Sequence, residues 1–234
     1  MRMTTVLLSL AAVLSTGAVS AGSGWLYYGG DQGGRHYSAA SIIDKDNVSG
    51  LEVAWKHHSG DIERYGEAME NTSTQSTPIL LPEGAGESLV YCTPFNRVIA
   101  LDPGSGEQRW DFDPGIDQRG SRTFRCRGVS YAEEPRVADN AHCRHRLFLA
   151  THDRKLWAID ARDGKPCDGF GNNGVVKLYG KGGYVPGDIS SSSAPTVAGG
   201  LVVVGSGIID FARATTPRGT VMAFDSYTGK LIQA

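Results

Sequence analysis

Apolar and polar positions alternate with a period of two over many short runs, separated by clusters of Gly, Asp, Pro and Ser, which is the pattern of short half-buried strands joined by turns. The runs fall at residues 79–81, 89–93, 97–102 and 108–112; again at 128–131, 146–151, 155–160 and 175–178; and a third time at 194–198, 201–205 and 220–225. Residues 51–56 alternate in the same way and read as a further strand. In each group one apolar run ends at an Asp, and four residues later a Gly opens the next run: Asp102 and Gly106, Asp160 and Gly164, Asp225 and Gly229. An Asp side chain accepts from backbone N–H groups ahead of it, and Gly supplies the positive φ that tight turns need. The Asp residues are spaced by 160 − 102 = 58 and 225 − 160 = 65 residues, so one unit recurs with variable insertions. Four short antiparallel strands per unit, recurring at this scale, predict an all-β fold of the β-propeller kind, with about three blades present. Trp110 follows Asp102 by eight residues, where it can dock on the neighbouring unit, and Gln233 stands in its place in the third. No segment has a helical period.

Composition sharpens this picture. Gly makes up 31 of 234 residues, about 13 % against a usual 7 %, as a turn-rich β chain requires. The formal charge of −2 lacks the basic excess that a nucleic-acid partner calls for, so none is expected. At the N-terminus Arg2 precedes an almost unbroken apolar run over residues 6–14, and small residues close the stretch at Ala21. That is the layout of a secretory signal peptide over residues 1–21, which leaves 22–234 as the propeller portion and implies export. Cys92, Cys126, Cys143 and Cys167 then sit in a compartment that permits disulfides. Three pairings are open, and no two cysteines have the C-x-x-C spacing of a zinc or thioredoxin-like site. The Ser190–Ser193 run carries no nucleophile elbow, the six histidines lack ligand spacing, and no glycine-rich phosphate loop opens a helix.

Several phrases go further. Trp25, Tyr28, Gly29, Gly30 and Asp31 with Arg35, Tyr37 and Ser38; residues 93–102; Cys126-Arg127-Gly128 with Tyr131; and Gly205-Ser206 with Pro217 and Gly219 resemble, in this order, the dehydrogenases that use pyrroloquinoline quinone (PQQ), most of all their membrane-type glucose dehydrogenase branch. The resemblance runs over about residues 24–231. It implies an eight-bladed propeller with PQQ on its axis, Ca²⁺ as Lewis acid at the quinone carbonyl, and oxidation of a sugar or alcohol hydroxyl by hydride transfer to the cofactor. It also implies a periplasmic location, membrane association as in the membrane-type branch, and a quinone or cytochrome as electron acceptor; no C-x-x-C-H haem motif is present in this chain. A tricarboxylate with adjacent carbonyls calls for guanidinium forks, hydroxyl donors and an oxygen-lined cation site.

By resemblance Arg127 is the guanidinium on the quinone, Ser192 or Ser193 the hydroxyl on a cofactor carboxylate, Asp210 the acidic calcium ligand and Gln75 a neutral replacement for a Glu near the cofactor. Thr123 stands where some glucose dehydrogenases have a His, so glucose itself is not implied. The catalytic base is expected beyond Ala234, which makes the chain the N-terminal part of such an enzyme, expected neither to hold PQQ tightly nor to turn over alone. The competing expectation is a non-catalytic propeller that serves as a binding scaffold of the cell envelope. Such a scaffold shares the Asp-to-Gly cadence but has no use for the Arg127 motif.

Overall fold

The computed structural model describes residues 24–121, 123–179, 185–208, 215 and 217–234; the stretch read as a signal peptide and Asp210 lie outside the described residues. Three four-stranded antiparallel sheets follow one another along the chain. The first comprises β1 (Ile79–Leu80), β2 (Leu89–Cys92), β3 (Val98–Leu101) and β4 (Gln108–Phe112). The second comprises β5 (Ser130–Glu133), β6 (His145–Ala150), β7 (Lys155–Asp160) and β8 (Val175–Lys177). Between it and the third lies β9 (Ile189–Ser190). The third comprises β10 (Thr196–Ala198), β11 (Leu201–Val204), β13 (Met222–Asp225) and β14 (Leu231–Gln233), and β12 (Gly207–Ile208) leaves it to pair with β9. Each sheet is an up-and-down meander, which is the geometry of a propeller blade.

The blades stack face to face. Along β6 the side chains alternate between two cores: Leu147 and Leu149 pack with Ile79, Val90, Val98 and Ala100 of the first blade, whereas Phe148 and Ala150 pack with Val202, Val204 and Phe224 of the third. A strand covered on both faces reads as an unbroken apolar run, as residues 147–150 of β6 do. Two disulfides, Cys92–Cys126 and Cys143–Cys167, resolve the pairing that the sequence left open.

The cadence is explained by the turns. Asp102 Oδ1 accepts from the N–H groups of Gly104 and Ser105 at 2.9 Å each, and Asp225 Oδ1 accepts from Thr228 at 2.7 Å. Gly106, Gly164 and Gly229 each donate back to the carbonyl of their Asp at 2.8–2.9 Å, with φ between +70° and +74°. The same glycines receive the preceding unit. A Cβ at Gly106 would stand 2.5 Å from the Trp55 ring, one at Gly164 2.6 Å from the Trp110 ring, and one at Gly229 2.9 Å from Val176. Trp110 thus docks on the next blade as the spacing suggests. In the third sheet Gln233 pairs with Ala223 as Trp110 pairs with Ala100.

Three expectations need correction. Residues 51–56 are extended but pair with no strand; Trp55 is held instead by docking on Gly106 and by its Nε1 donating to the Pro103 carbonyl at 3.1 Å. The third unit is a complete four-stranded sheet, because β14 closes a meander that the sequence pattern ended at residue 225. The chain is also not free of helix: α1 (Asp61–Tyr65) lies between Gly60 and Gly66, both at positive φ. Five residues are too few to display a 3.6-residue period. Here tertiary contacts decide, since Asp61 is buried against Arg97 at 2.7 Å and the Tyr65 ring stacks on Phe95 at 3.8 Å.

Candidate functional site

The segment 123–127 is extended and fixed on both sides. Ser73 N donates to Phe124 O at 3.0 Å and Thr77 N to Arg127 O at 3.0 Å, while Arg127 N donates to Ser192 O at 2.8 Å. Its side chains alternate. Phe124 and Cys126 are buried, Cys126 in the disulfide to Cys92, and Thr123, Arg125 and Arg127 line a cleft of about 430 Å³. Ser190 and Ser192 line it from the other side with Ser121, His152, Gly187 and Gly207. At its rim Gly120 and Gly187 touch backbone to backbone: a Cβ on Gly120 would stand 2.4 Å from the Pro186 carbonyl oxygen, and one on Gly187 2.2 Å from that of Gly120. Only glycine fits either position.

Charge in the cleft is one-sided. Arg127 donates to the Ser192 hydroxyl, and neither Arg125 nor Arg127 has a carboxylate partner among the described residues. Several arginines elsewhere are paired with carboxylates: Arg97 with Asp61 and Asp111, Arg109 with Asp102, Arg136 with Glu134 and Asp225, Arg162 with Asp160. His152 is 7 % exposed; burial pushes its pKa down, the Arg125 charge adds to this, and Asp153 opposes it. Its Nε2 bonds to Ser121 Oγ and its backbone N–H donates to Asn96 Oδ1 at 2.8 Å.

The structure therefore brings Arg127 and Ser192 together. Ser193 lines a separate cleft of about 320 Å³, walled by Tyr27, Tyr28 and Tyr131, with Arg127 in its wall as well. Gln75 is exposed, bonds through its amide to Ser73 Oγ at 3.0 Å and is not among the residues lining the first cleft. Asp210 lies outside the described residues. Ser121, Arg125, His152 and Ser190 were not singled out by sequence, although the alternation of Thr123, Arg125 and Arg127 around Phe124 and Cys126 was there to find Arg125. Among the described residues His142, Cys143 and Asp160 form a cluster of metal-ligand types. The Cys143 sulfur is bonded to Cys167, however, and Asp160 is held by Arg162 and the Cys143 N–H.

Guanidiniums and hydroxyls converging without a counter-charge suit a planar polyanion. The tricarboxylate PQQ fits this donor set. Calcium is not provided for by it, since no carboxylate lines the cleft among the described residues.

Known proteins resemble this chain over most of its length. The family profile described as PQQ: Glucose/ethanol/alcohol dehydrogenase, beta-propeller domain, matches residues 25–232. The chain is 34 % identical over 212 residues to the glycerol dehydrogenase large subunit of Gluconobacter thailandicus, covering 90 % of this chain and 28 % of that protein. To quinoprotein glucose dehydrogenase A of Acinetobacter calcoaceticus it is 32 % identical, covering 90 % and 27 %. The chain thus spans somewhat over a quarter of the length of these relatives. Among solved structures it resembles a europium-containing methanol dehydrogenase with a TM-score of 0.67 at 22 % identity, over 90 % of this chain and 31 % of that one, a likeness of fold. The quinohemoprotein alcohol dehydrogenase ADHIIG of Pseudomonas putida gives 0.64 at 25 % identity, over 89 % and 26 %.

Proposed function

The chain belongs to the PQQ-dependent glucose/ethanol/alcohol dehydrogenase β-propeller family, and we propose that it forms the cofactor-holding front of an exported enzyme that oxidises a sugar or alcohol hydroxyl. The observation that carries this is the pair Arg125 and Arg127, two half-buried guanidiniums without carboxylate partners among the described residues, aimed into a hydroxyl-lined cleft. In this reading Arg127, steadied by Ser192, forks onto the anionic oxygens of PQQ, and Arg125 neutralises a further carboxylate. Ser190 and Thr123 supply hydroxyl donors to the same ligand. Ser193 and Gln75 belong to the periphery, one in the adjoining aromatic cleft and the other on the segment that pairs with 123–127. Bound PQQ supplies the two-electron acceptor for hydride removed from the substrate carbon. Asp210 is assigned to Ca²⁺, where a carboxylate oxygen suits a hard cation. Electrons pass on to a quinone or cytochrome, and export places the chain in the periplasm. No helix among the described residues is long and apolar enough to cross a membrane.

The test is a titration of the chain with PQQ, carried to concentrations that saturate the weak binding expected of the chain alone and followed by quenching of intrinsic fluorescence. A charge-assisted hydrogen bond is worth about 1.5–3 kcal/mol, so Arg127→Ala weakens binding roughly 10- to 150-fold, and Arg127→Lys, which keeps the charge but not the fork, weakens it less. Equal affinity in wild type, Arg125→Ala and Arg127→Ala overturns the assignment.

A further inference from the structure

His152 and Ser121 have no place in the cofactor assignment above, yet both line its cleft. The His152 ring is buried: its Nε2 meets Ser121 Oγ, and its Nδ1 is buried with no hydrogen-bond partner among the described residues. A neutral imidazole carries one N–H and one bare nitrogen. If Nδ1 held the proton, a buried N–H would be left without an acceptor, which folded proteins tolerate less often than an acceptor without a donor. The proton therefore sits on Nε2 and is donated to Ser121 Oγ. With its oxygen accepting from the histidine, Ser121 keeps its own O–H free to point away from the ring.

Among the described residues the cations around the ring favour its neutral form, and the one carboxylate that opposes them, Asp153, is itself engaged. Arg125 lies near it from the 123–127 segment, Arg127 lines the same cleft, and the neighbouring Asp153 is engaged by the Thr151 hydroxyl and Lys155. The Phe124 ring packs against the imidazole at a tilt, with ring centres 5.5 Å apart. We infer that Ser121 is a hydroxyl donor to a carboxylate or carbonyl oxygen of the ligand in this cleft, and that His152 is the positioning residue that holds Ser121 in that polarity. Its identification of the ligand as PQQ rests on the proposed function; the orientation of the pair does not.

Two readouts separate these. Long-range ¹H–¹⁵N correlation spectra of the wild-type imidazoles report the tautomer without any ligand: a protonated Nε2 and a bare Nδ1 at His152 are expected at neutral pH, and a protonated Nδ1 overturns the inference even if PQQ binds. Titration with PQQ then tests the donor. Ser121→Ala is expected to lower affinity about tenfold. His152→Leu should match it, and His152→Gln, whose amide can still donate to Ser121, should retain most of the affinity. The Ser121→Ala, His152→Leu double variant should bind no worse than Ser121→Ala alone, because the histidine acts through the serine. Losses that simply add in the double variant, or wild-type affinity in Ser121→Ala, overturn the inference while leaving the role of Arg127 intact.

Discussion

Gly164→Ala measures how much the docking of one repeat on the next contributes. Gly164 sits at φ +73° in the turn that follows Asp160, and a Cβ there would stand 2.6 Å from the Trp110 ring. Two costs follow. An L-residue in the left-handed region costs about 1–2 kcal/mol, and forcing atoms into a filled contact costs about 1–3 kcal/mol more. Trp110 cannot easily move aside, because it packs against the core shared by the first two blades. The expected loss is thus about 2–5 kcal/mol. Gly86→Ala supplies the comparison: φ there is +92°, yet nothing lies within 4 Å of a Cβ, so the backbone cost alone, about 1–2 kcal/mol, should appear. Urea unfolding followed by tryptophan fluorescence and circular dichroism gives both values. In a Trp110→Ala background, Gly164→Ala should cost only the backbone term, since the clash is with that ring. If Gly164→Ala costs no more than Gly86→Ala, the ring is not seated on the turn and the docking account of the repeat is wrong.

Other perturbations test other parts of the fold. Asp61→Asn leaves Arg97, whose side chain is 6 % exposed, with Asp111 alone; losing a buried partner costs about 3 kcal/mol at the lower end of the usual range, and a change under about 1 kcal/mol in urea unfolding would refute the pairing. Reducing the disulfides, which close loops of 34 and 24 residues, should remove about 3–4 kcal/mol each on the chain-entropy account, read as a lowered Tm in reductant and as lower still when both are open. Acid should destabilise the chain. Burial holds the pKa values of His57, His145 and His152 below the ordinary 6.5, so beneath that pH the unfolded chain binds protons that the folded chain does not. Stability is then full above about pH 6.5 and falls below it, by up to about 1.4 kcal/mol per pH unit for each such histidine. His152→Gln should flatten this slope, and an unchanged slope would mean that the ring is charged in the fold.

The blades were legible because their physics is local. Asp102, Asp160 and Asp225 cap their own turns, and the glycines four residues on need a positive φ, so spacing alone reveals them. The run over His145–Ala150 was also readable, although only the stacked blades show that alternate residues serve two different cores. What escaped depends on contacts far apart in sequence. The helix Asp61–Tyr65 exists through Arg97 and Phe95, and the strand Leu231–Gln233 is three residues long and exposed throughout, so its Leu231-Ile232 pair shows no alternation and it is fixed by pairing with Met222–Asp225. The cleft is similar. Arg127 and Ser192 were legible through resemblance, whereas His152 comes from a loop of the second blade and meets Ser121 only after the chain has turned back across 31 residues.

The cleft also shows why a repeat pattern by itself cannot announce a ligand. The Asp-to-Gly turns satisfy themselves: Asp102 with Arg109, Asp160 with Arg162 and Asp225 with Arg136 close their charges inside the blade or across one interface. Arg125 and Arg127 do the opposite. Projecting from alternate positions of one extended segment, they share one face of it, where like charges repel. The fold tolerates that repulsion because backbone bonds from Ser73, Thr77 and to Ser192 clamp the segment, and because Phe124 and Cys126 anchor its other face. A polyanion seated between the two guanidiniums converts the repulsion into attraction. On the proposed reading, a polyanion is the counter-charge that these two guanidiniums lack among the described residues, and the polar half of the alternation at residues 123–127 is where the sequence would record it.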